Sequence, residues 1–352
     1  MNSTGFSRST VNGAVAKLLA EERVSEIDVE EKGPGSGSGR PATRLMATAT
    51  GAWVAGVDFG HNHLHVAVAG ADGAVAGERR IELDVDLEAE QALDEAARLL
   101  GELRARYDID ELGAVVAGIP GPLHVVTGLV QSPTILSGWV GADPAAGLER
   151  RIGLPVHVEN DAVLGAHGEL YAGAGREHRD FLYVKASHGV GASLVIGGEV
   201  YRGASGLAGE IGHTKLPGRA ELCRCGAKGC LEAVVSVAEL RAQVAHSHPG
   251  LDVAELELGS LEDPVSDRIL EDAGWTTGRV LADLCNLVNP SAVILGGEVG
   301  VSGPAYVAGV DAAIRRYAQP ATVDALVVRA AELGVRAELV GALEVAGRLV
   351  TV

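Results

Sequence analysis

Four side chains of types that commonly bind metals lie close together between positions 213 and 230. His213 is followed after nine residues by Cys223, and then by Cys225 and Cys230. One imidazole and three thiolates supply the four ligands of a closed tetrahedral zinc site, which has no open coordination position for catalysis. We therefore predict a structural zinc ion here. The alternative is a surface loop whose thiols bind no metal.

Acidic and amide side chains near this cysteine-rich segment indicate a ligand with many hydroxyl groups. Asn160 and Asp161 stand where a predicted strand runs into a predicted helix, and an aspartate there can accept a proton from a substrate hydroxyl. Glu210 and Glu232 add two carboxylates beside the proposed zinc site. Such a set suits a sugar. The Asn-Asp pair is also typical of an ordinary helix N-cap, and the glutamates of ordinary surface acids.

Turns that contain glycine are candidates for binding nucleotide phosphates, because their backbone N–H groups can point at an anion. An aspartate before the first of these turns is in a position to hold Mg²⁺ through water. Glycine turns also occur in proteins that bind no phosphate, so one turn alone does not identify a nucleotide site. The candidates for phosphate or Mg²⁺ contact are Asp58, Gly60, Gly189, Gly191, Gly296 and Gly297.

The composition is that of a folded α/β protein rather than of a disordered chain. The 352 residues are enough for two or three domains, and 47% of them are apolar while 22% are charged. A formal net charge of −18 argues against broad attraction to nucleic acid or to anionic membranes. There is no apolar run of about 18 residues, no signal-peptide core and no secreted disulfide framework. We therefore expect a cytoplasmic protein without a membrane partner.

Two similar series of strands and helices follow each other along the chain. The first begins at Trp53 and the second after Gly173, and each is predicted to contain three strands, a helix, a strand and a further helix. This order predicts an internally duplicated α/β architecture with a cleft between its halves.

The first 46 residues are predicted to form a separate small module. An amphipathic helix begins near Ser7, a short strand begins at Val24, and a return strand is expected at 43–46 after the glycine-rich run 33–41. A helix followed by a β-hairpin is the second half of a winged helix-turn-helix. A loosely ordered N-terminal arm is the alternative.

In order and spacing, these motifs resemble the ROK family, whose name stands for repressor, open reading frame and kinase. The resemblance runs through nearly the whole chain and rests on Asp58-x-Gly60, Gly118-Ile119-Pro120-Gly121-Pro122, Glu159-Asn160-Asp161-Ala162, the Gly189/Gly191 loop, Gly209-Glu210-Ile211-Gly212-His213, the cysteine-rich segment with Cys230-Leu231-Glu232, and Ile294-Leu295-Gly296-Gly297. It implies an α/β, actin-like (sugar kinase, ribonuclease H-like) fold of two domains, assembled as a homodimer or homotetramer. We place a smaller α/β domain at 51–172 plus 336–352 and a larger one, with the zinc segment, at 173–335. A partial winged helix-turn-helix with its linker occupies 1–46.

The resemblance also implies roles for individual residues. Asp161 corresponds to the base of the family's kinases, and Asn160, Glu210, His213 and Glu232 correspond to residues that line the sugar pocket. His213 and the three cysteines correspond to the zinc ligands.

Three positions depart from the pattern of the family's kinases. The threonine after Asp-x-Gly-Gly is missing, since His61-Asn62-His63 follows Gly60; Ser187-His188-Gly189 replaces Gly-Thr-Gly; and Val163 replaces an asparagine. Each lost hydroxyl donor weakens ATP binding by about 1 kcal/mol or more, and bulky imidazoles clash with phosphate.

These departures favour a sugar-responsive repressor with a degraded kinase cleft that binds a sugar or a sugar phosphate. The alternative is an active kinase for hexoses or N-acetylhexosamines with a vestigial arm, and only then are ATP and Mg²⁺ expected. A sugar-sensing subunit without a DNA role is a third hypothesis.

The N-terminal module is similar to the DNA-binding part of the family's repressors. The expected contacts to DNA, at the start of the helix and in the wing, are Arg8, Ser9, Thr10, Asn12 and Arg40. Only residues 1–6 precede the helix, which are too few for the supporting first helix of a helix-turn-helix. We therefore expect residues 1–352 to bind operator DNA poorly, and a version extended through upstream in-frame codons to bind it specifically and release it with sugar.

Overall fold

The structure is a computed structural model that describes residues 8–20, 24–27, 44–47, 52–121, 123–124, 128–130, 136–253 and 256–351. In these segments the chain forms two five-stranded mixed sheets with helices packed on them, preceded by a small module of one helix and one hairpin. The duplicated α/β architecture predicted from the sequence is confirmed.

The first sheet is built from residues 53–160. Its strands are β3 (Trp53–Phe59), β4 (His63–Gly70), β5 (Val75–Glu82), β6 (Leu112–Ile119) and β7 (Val156–Asn160), and its helices are α2 (Ala89–Arg106), α3 (Pro144–Ile152) and α4 (Asp161–Ala172). The strand order is β5-β4-β3-β6-β7. The first three strands pair antiparallel, and β6 and β7 run parallel to β3.

The second sheet repeats this topology. Its strands are β8 (Phe181–Ala186), β9 (Val190–Ile196), β10 (Glu199–Tyr201), β11 (Ala292–Gly296) and β12 (Val327–Ala330), in the order β10-β9-β8-β11-β12. The helices of this part are α5 (Glu232–Val235), α6 (Val237–Ser247), α7 (Pro264–Val288), α8 (Gly297–Gly300), α9 (Pro304–Tyr317) and α10 (Pro320–Val323). In the described segments, every helix is too short or too polar to cross a membrane.

The C-terminal helix α11 (Ala337–Thr351) returns to the first sheet. It packs against β3, β6 and α4 through buried side chains such as Leu339 and Leu343. At Gly341 a Cβ atom would lie 1.8 Å from the Leu164 carbonyl oxygen, so only glycine permits this crossing of α11 and α4. The crossing brings the start of α11 to the space between the two sheets. The proposed domain boundaries remain a prediction.

The core is built from small aliphatic side chains, as the aromatic content of 3% requires. On α2, the residues facing the sheet recur every three or four positions, which is the period of an amphipathic helix. The buried residues of this face are Ala89, Ala92, Leu93, Ala96, Leu99, Leu100 and Leu103.

The N-terminal module contains α1 (Arg8–Ala20), β1 (Val24–Ile27) and β2 (Arg44–Ala47). The two strands pair antiparallel, with Val24 opposite Ala47. The helix and the hairpin expected from the sequence are therefore present, whereas their identity as part of a winged helix remains a prediction. The expected wing residue Arg40 lies outside the described residues.

Glu169 on α4 offers a test of how the chain segments are held together. This fully buried carboxylate accepts the backbone N–H groups of Ala174 (2.7 Å), Glu332 (3.1 Å) and Leu333 (2.8 Å). Glu169→Ala leaves three donors without their acceptor, so we expect the free energy of unfolding to fall by about 2–4 kcal/mol in urea denaturation. Glu169→Gln keeps one carbonyl oxygen and should lose less. Equal losses for both variants would contradict this account.

Candidate functional site

A cleft of about 1020 Å³ lies between the two sheets. Its walls come from the β3–β4 turn, the start of α4, the β8–β9 loop, the cysteine-rich segment, and the starts of α8 and α11. The sequence-predicted residues that line it are Gly60, Asn160, Asp161, Gly189, Gly191, Glu210, His213, Glu232 and Gly297. Residues that are scattered along the sequence therefore meet in one place.

Asn160 caps α4 and thereby fixes the position of Asp161. Its Oδ1 accepts the N–H groups of Ala162 (2.9 Å) and Val163 (3.2 Å), and its Nδ2 donates to the Gly121 carbonyl (3.1 Å). This is the N-cap that the sequence offered as the alternative to ligand binding. Both lone pairs of Oδ1 are used, so Asn160 has only amide N–H left to offer a sugar.

Lys185, near the end of β8, pairs with Asp161 at the floor of the cleft. Its Nζ donates to Asp161 Oδ2 at 2.8 Å and lies 3.1 Å from Glu338 Oε1 at the start of α11. Burial lowers the pKa of Lys185, but the charges of Asp161, Glu338 and Asp58 outweigh burial and raise the pKa above its ordinary value. Lys185 therefore stays protonated, and its ammonium holds Asp161 Oδ2 in an ion pair.

Glu338 adds a second buried carboxylate in contact with this ammonium, and the charge of the buried Asp58 also acts on Lys185. Asp58, Asp161 and Glu338 are all less than one-tenth exposed. Burial raises the pKa of Glu338, Lys185 opposes the rise, and the two aspartates add to it. Neither Lys185 nor Glu338 stands out in the sequence, because each is an ordinary residue of its strand or helix until the chain folds.

His63 closes over the turn that follows Asp58. Its Nε2 lies 3.0 Å from Asp58 Oδ2, and the ring covers Gly60 so closely that a Cβ there would lie 2.1 Å from it. Burial raises the pKa of Asp58, but the hydrogen bond and charge of His63 outweigh burial and lower it. The carboxylate expected to hold Mg²⁺ through water therefore already has a partner.

Asp86 connects the two sides of the cleft. Its Oδ1 lies 2.6 Å from His61 Nδ1, and its Oδ2 accepts from Arg224 Nη2 of the cysteine-rich segment at 2.9 Å. The centroids of the His61 and His188 rings are 5.4 Å apart. Burial and the charge of His61 lower the pKa of His188 to about 4, so His188 is neutral at pH 7. The two turns proposed for phosphate binding therefore face each other through imidazoles.

The four candidate zinc ligands His213, Cys223, Cys225 and Cys230 come together, with ligand atoms within 4.8 Å of one another. Cys225 Sγ lies 3.7 Å from Cys230 Sγ, and Cys223 Sγ lies 3.8 Å from His213 Nδ1. Zinc–sulfur bonds of about 2.3 Å in a tetrahedron separate two sulfurs by roughly 3.8 Å, so the side chains fit a zinc ion. In the described part of the chain, this is the one group of three or more such ligands whose atoms lie so close together.

Two sugar-pocket candidates, Glu210 and Glu232, lie against this metal-binding group. His213 directs Nδ1 to the cysteines, and its Nε2 lies 3.8 Å from Glu210 Oε2. Glu232 Oε1 lies 3.5 Å from Cys223 Sγ, while its Oε2 accepts the Val190 N–H at 3.2 Å. Burial raises the pKa of Glu210. The metal-binding group therefore helps to orient the side chains of the pocket.

The remaining predicted residues lie beside the cleft or away from it. Asp58 is buried below the first turn, and Gly296 ends β11 immediately before Gly297. The predicted DNA contacts Arg8, Ser9, Thr10 and Asn12 belong to α1, and Arg40 is outside the described residues.

The metal-binding group leads to a direct prediction. Protein purified without chelator should contain about one zinc ion per chain, and Cys225→Ser should lose most of it, because a closed site needs all four ligands. Elemental analysis measures both. Cys285→Ala removes a buried thiol of α7 and should keep its zinc. Zinc-free wild-type protein, or unchanged zinc in Cys225→Ser, would refute the assignment.

Comparisons with known proteins give the same family that the motifs resemble. A model of the ROK family matches residues 54–348. A putative xylose repressor of Caldicellulosiruptor sp. (strain Rt8B.4) is 30% identical over 314 residues, which cover 84% of this chain and 78% of that protein. The crystal structure of a ROK family glucokinase from Streptomyces griseus, in complex with glucose and AMPPNP, matches with a TM-score of 0.72 and 29% identity, covering 84% of this chain and 99% of that one.

A further structural match includes the N-terminal module. The crystal structure of a ROK family transcriptional regulator, a homologue of the Escherichia coli Mlc protein, matches with a TM-score of 0.72 and 21% identity. It covers 98% of this chain and 89% of that one, and at this identity the likeness concerns the fold. From the extent of the family match, the chain belongs to the ROK family, and its two sheets form the actin-like fold of that family.

Proposed function

We propose that this protein is a sugar-responsive transcriptional regulator that binds a sugar or sugar phosphate and does not transfer phosphate efficiently. The name of the 30% identical relative, a putative xylose repressor, supports this proposal. The main support is that the side chains expected to bind sugar line the cleft, while the ammonium of Lys185 is paired with the carboxylate of Asp161. Those side chains are Glu210, His213 and Glu232.

The pocket side chains suit a ligand with several hydroxyl groups. Glu210 and Glu232 offer carboxylate oxygens, and His213 lines the same cleft with its Nε2 3.8 Å from Glu210 Oε2. Hydrogen bonds between neutral hydroxyls and charged groups contribute about 1.5–3 kcal/mol each, so a few of them are enough to hold a sugar. We propose that the zinc ion is structural, since its four protein ligands leave no position for substrate.

The same cleft is poorly arranged for phosphotransfer. A general base must take the proton of the hydroxyl that attacks phosphorus. Asp161 can take that proton at Oδ2 only by giving up its 2.8 Å contact with Lys185. Asp58 is engaged by His63, and the His61 and His188 rings lie between the turns where phosphates would bind. We propose that these three contacts separate sugar binding from catalysis.

Ion pairs across the cleft provide a route from sugar binding to DNA binding. Three of them join opposite sides of it: Lys185 with Asp161, Arg202 with Glu159, and Arg224 with Asp86. A sugar that contacts both sides favours one degree of closure. In a homodimer or homotetramer, that closure changes the spacing of the N-terminal modules and so their fit to two operator half-sites. We assign DNA contact to Arg8, Ser9, Thr10, Asn12 and Arg40.

An ATP-dependent kinase for hexoses or N-acetylhexosamines is the second candidate function. The 29% identity to the Streptomyces griseus glucokinase favours it. In this case Asp161 is the base, and Asp58, Gly60, Gly189, Gly191, Gly296 and Gly297 surround the nucleotide phosphates and Mg²⁺. Lys185 and His63 would then have to leave their carboxylates during turnover.

Calorimetry and an ADP-release assay together distinguish the two candidate functions. Titration with xylose, glucose, N-acetylated hexosamines and their phosphates should identify a ligand, and Glu232→Ala should weaken its binding at least tenfold by removing a charged acceptor. Glu82→Ala, an exposed carboxylate of the same cleft, should change affinity little. With the best ligand and ATP, ADP release should stay far below the order of 1 s⁻¹ of ordinary kinases. Turnover at that rate would establish the kinase instead.

The regulatory part is tested with DNA selected from random duplexes. The chain is used as given and with any residues encoded upstream in frame. At least one version should bind a specific duplex and release it when the ligand from calorimetry is added. Arg8→Ala should weaken binding by about 10–100-fold, whereas Arg268→Ala, which removes an equal charge from an exposed position of α7, should not. Sequence-specific binding by neither version would contradict the proposed regulator.

A further inference from the structure

The floor of the cleft holds more negative charge than one ion pair needs. Asp161 and Glu338 line this floor, and Asp58 is buried beside it, below the β3–β4 turn. The Lys185 ammonium contacts Asp161 at 2.8 Å and Glu338 at 3.1 Å, and its charge acts on Asp58. Asp58 Oδ1 is buried and has no hydrogen-bond partner among the described residues. Two buried carboxylates therefore share one lysine ammonium, and a third buried carboxylate lies nearby.

Carboxylates crowded in a buried site need a cation beside them. A divalent ion such as Mg²⁺ is one solution, since it binds carboxylate oxygens and water in an octahedron. A lysine ammonium is another, because it is a compact charge with three N–H donors. The two solutions exclude each other at one site, because a cation of either kind repels the second within a few ångströms.

We propose that the Lys185 ammonium is a built-in cation that takes the place of a divalent metal ion at the floor of the cleft. The inference rests on the proposed function only in treating this cleft as a ligand site. Lys185 is anchored at the end of β8, and the carboxylates come from β3 and from the starts of α4 and α11. Folding of the chain therefore places the lysine cation beside the carboxylates without any ion from solution.

Lys185 then decides which class of ligand the cleft accepts. A nucleoside triphosphate enters such clefts with its divalent ion, and that ion would meet the ammonium of Lys185 and the imidazole of His63 beside Asp58. An uncharged sugar brings no cation and can donate a hydroxyl to Asp161 Oδ1 while Lys185 keeps Oδ2. Ligand binding by the wild-type protein is therefore independent of Mg²⁺.

The test measures Mn²⁺, which resembles Mg²⁺ and is followed by electron paramagnetic resonance of the free ion. Zinc-loaded full-length protein is titrated in about 0.15 M salt without sugar, nucleotide or DNA, which screens weak surface binding. Wild type should show no Mn²⁺ site at the floor tighter than about 1 mM. Lys185→Gln should gain one site at least tenfold tighter, and adding Asp58→Asn to that variant should remove it.

Two controls make each outcome decisive. Arg202→Gln removes a cleft cation paired with Glu159 and gives the same change in net charge, so it should gain no Mn²⁺ site. Lys185→Gln leaves buried carboxylates unpaired and could therefore destabilise the fold. The double variant Lys185→Gln/Glu338→Gln removes one charge of each sign, so it should fold and should also gain the Mn²⁺ site.

The proposal falls if wild type binds an Mn²⁺ ion that Asp58→Asn removes. It also falls if Arg202→Gln gains the same site, or if neither folded Lys185 variant gains one. None of these results involves sugar or DNA, so they leave the proposed regulator untouched. Conversely, a failed sugar or DNA experiment leaves the role of Lys185 standing.

Discussion

The contact between Lys185 and the carboxylates of Asp161 and Glu338 is the interaction on which the cleft depends. Lys185 comes from the second sheet, whereas its partners begin α4 and α11, the two helices that cross at Gly341. Removing either charge of a buried pair leaves the other uncompensated, which costs about 3–5 kcal/mol. These contacts therefore require two features of the fold. Asn160 must cap the start of α4, and α11 must cross α4 closely at Gly341.

The metal-binding group imposes a second constraint from the opposite wall. His213 serves two purposes, since one ring nitrogen faces the cysteines and the other faces Glu210 and the cleft. Glu232 connects the same group to the backbone of the β8–β9 loop through the Val190 N–H. Arg224 stands between two cysteine ligands and reaches Asp86 on the far side. If the group holds zinc as proposed, a change in its metal content acts on Glu210 and Glu232 and, through Arg224, on Asp86.

Local patterns were enough to predict the outline of the fold and part of the site. Strand and helix periods carry the repeated topology, and the zinc group is recognisable because rare residue types recur within a short segment. Lys185 and Glu338 could not be found in this way, because their role depends on a 3.1 Å contact between residues that are far apart in the sequence. His63 was expected only to obstruct phosphate. Its bond to Asp58 depends on a turn geometry that the sequence does not specify.

Ligand sensing and phosphotransfer require different properties of the same cleft. A ligand shifts the balance between open and closed forms only by binding one of them more tightly, and a tenfold preference corresponds to about 1.4 kcal/mol. Side chains on both walls, such as Asp161 and Glu232, can supply that preference through a few hydrogen bonds. Catalysis additionally needs a free base and a bound metal–nucleotide complex. In the proposed arrangement Lys185 prevents both requirements from being met, while Asp161 can still accept a sugar hydroxyl. We therefore propose that this one buried ammonium favours a sensor over a kinase.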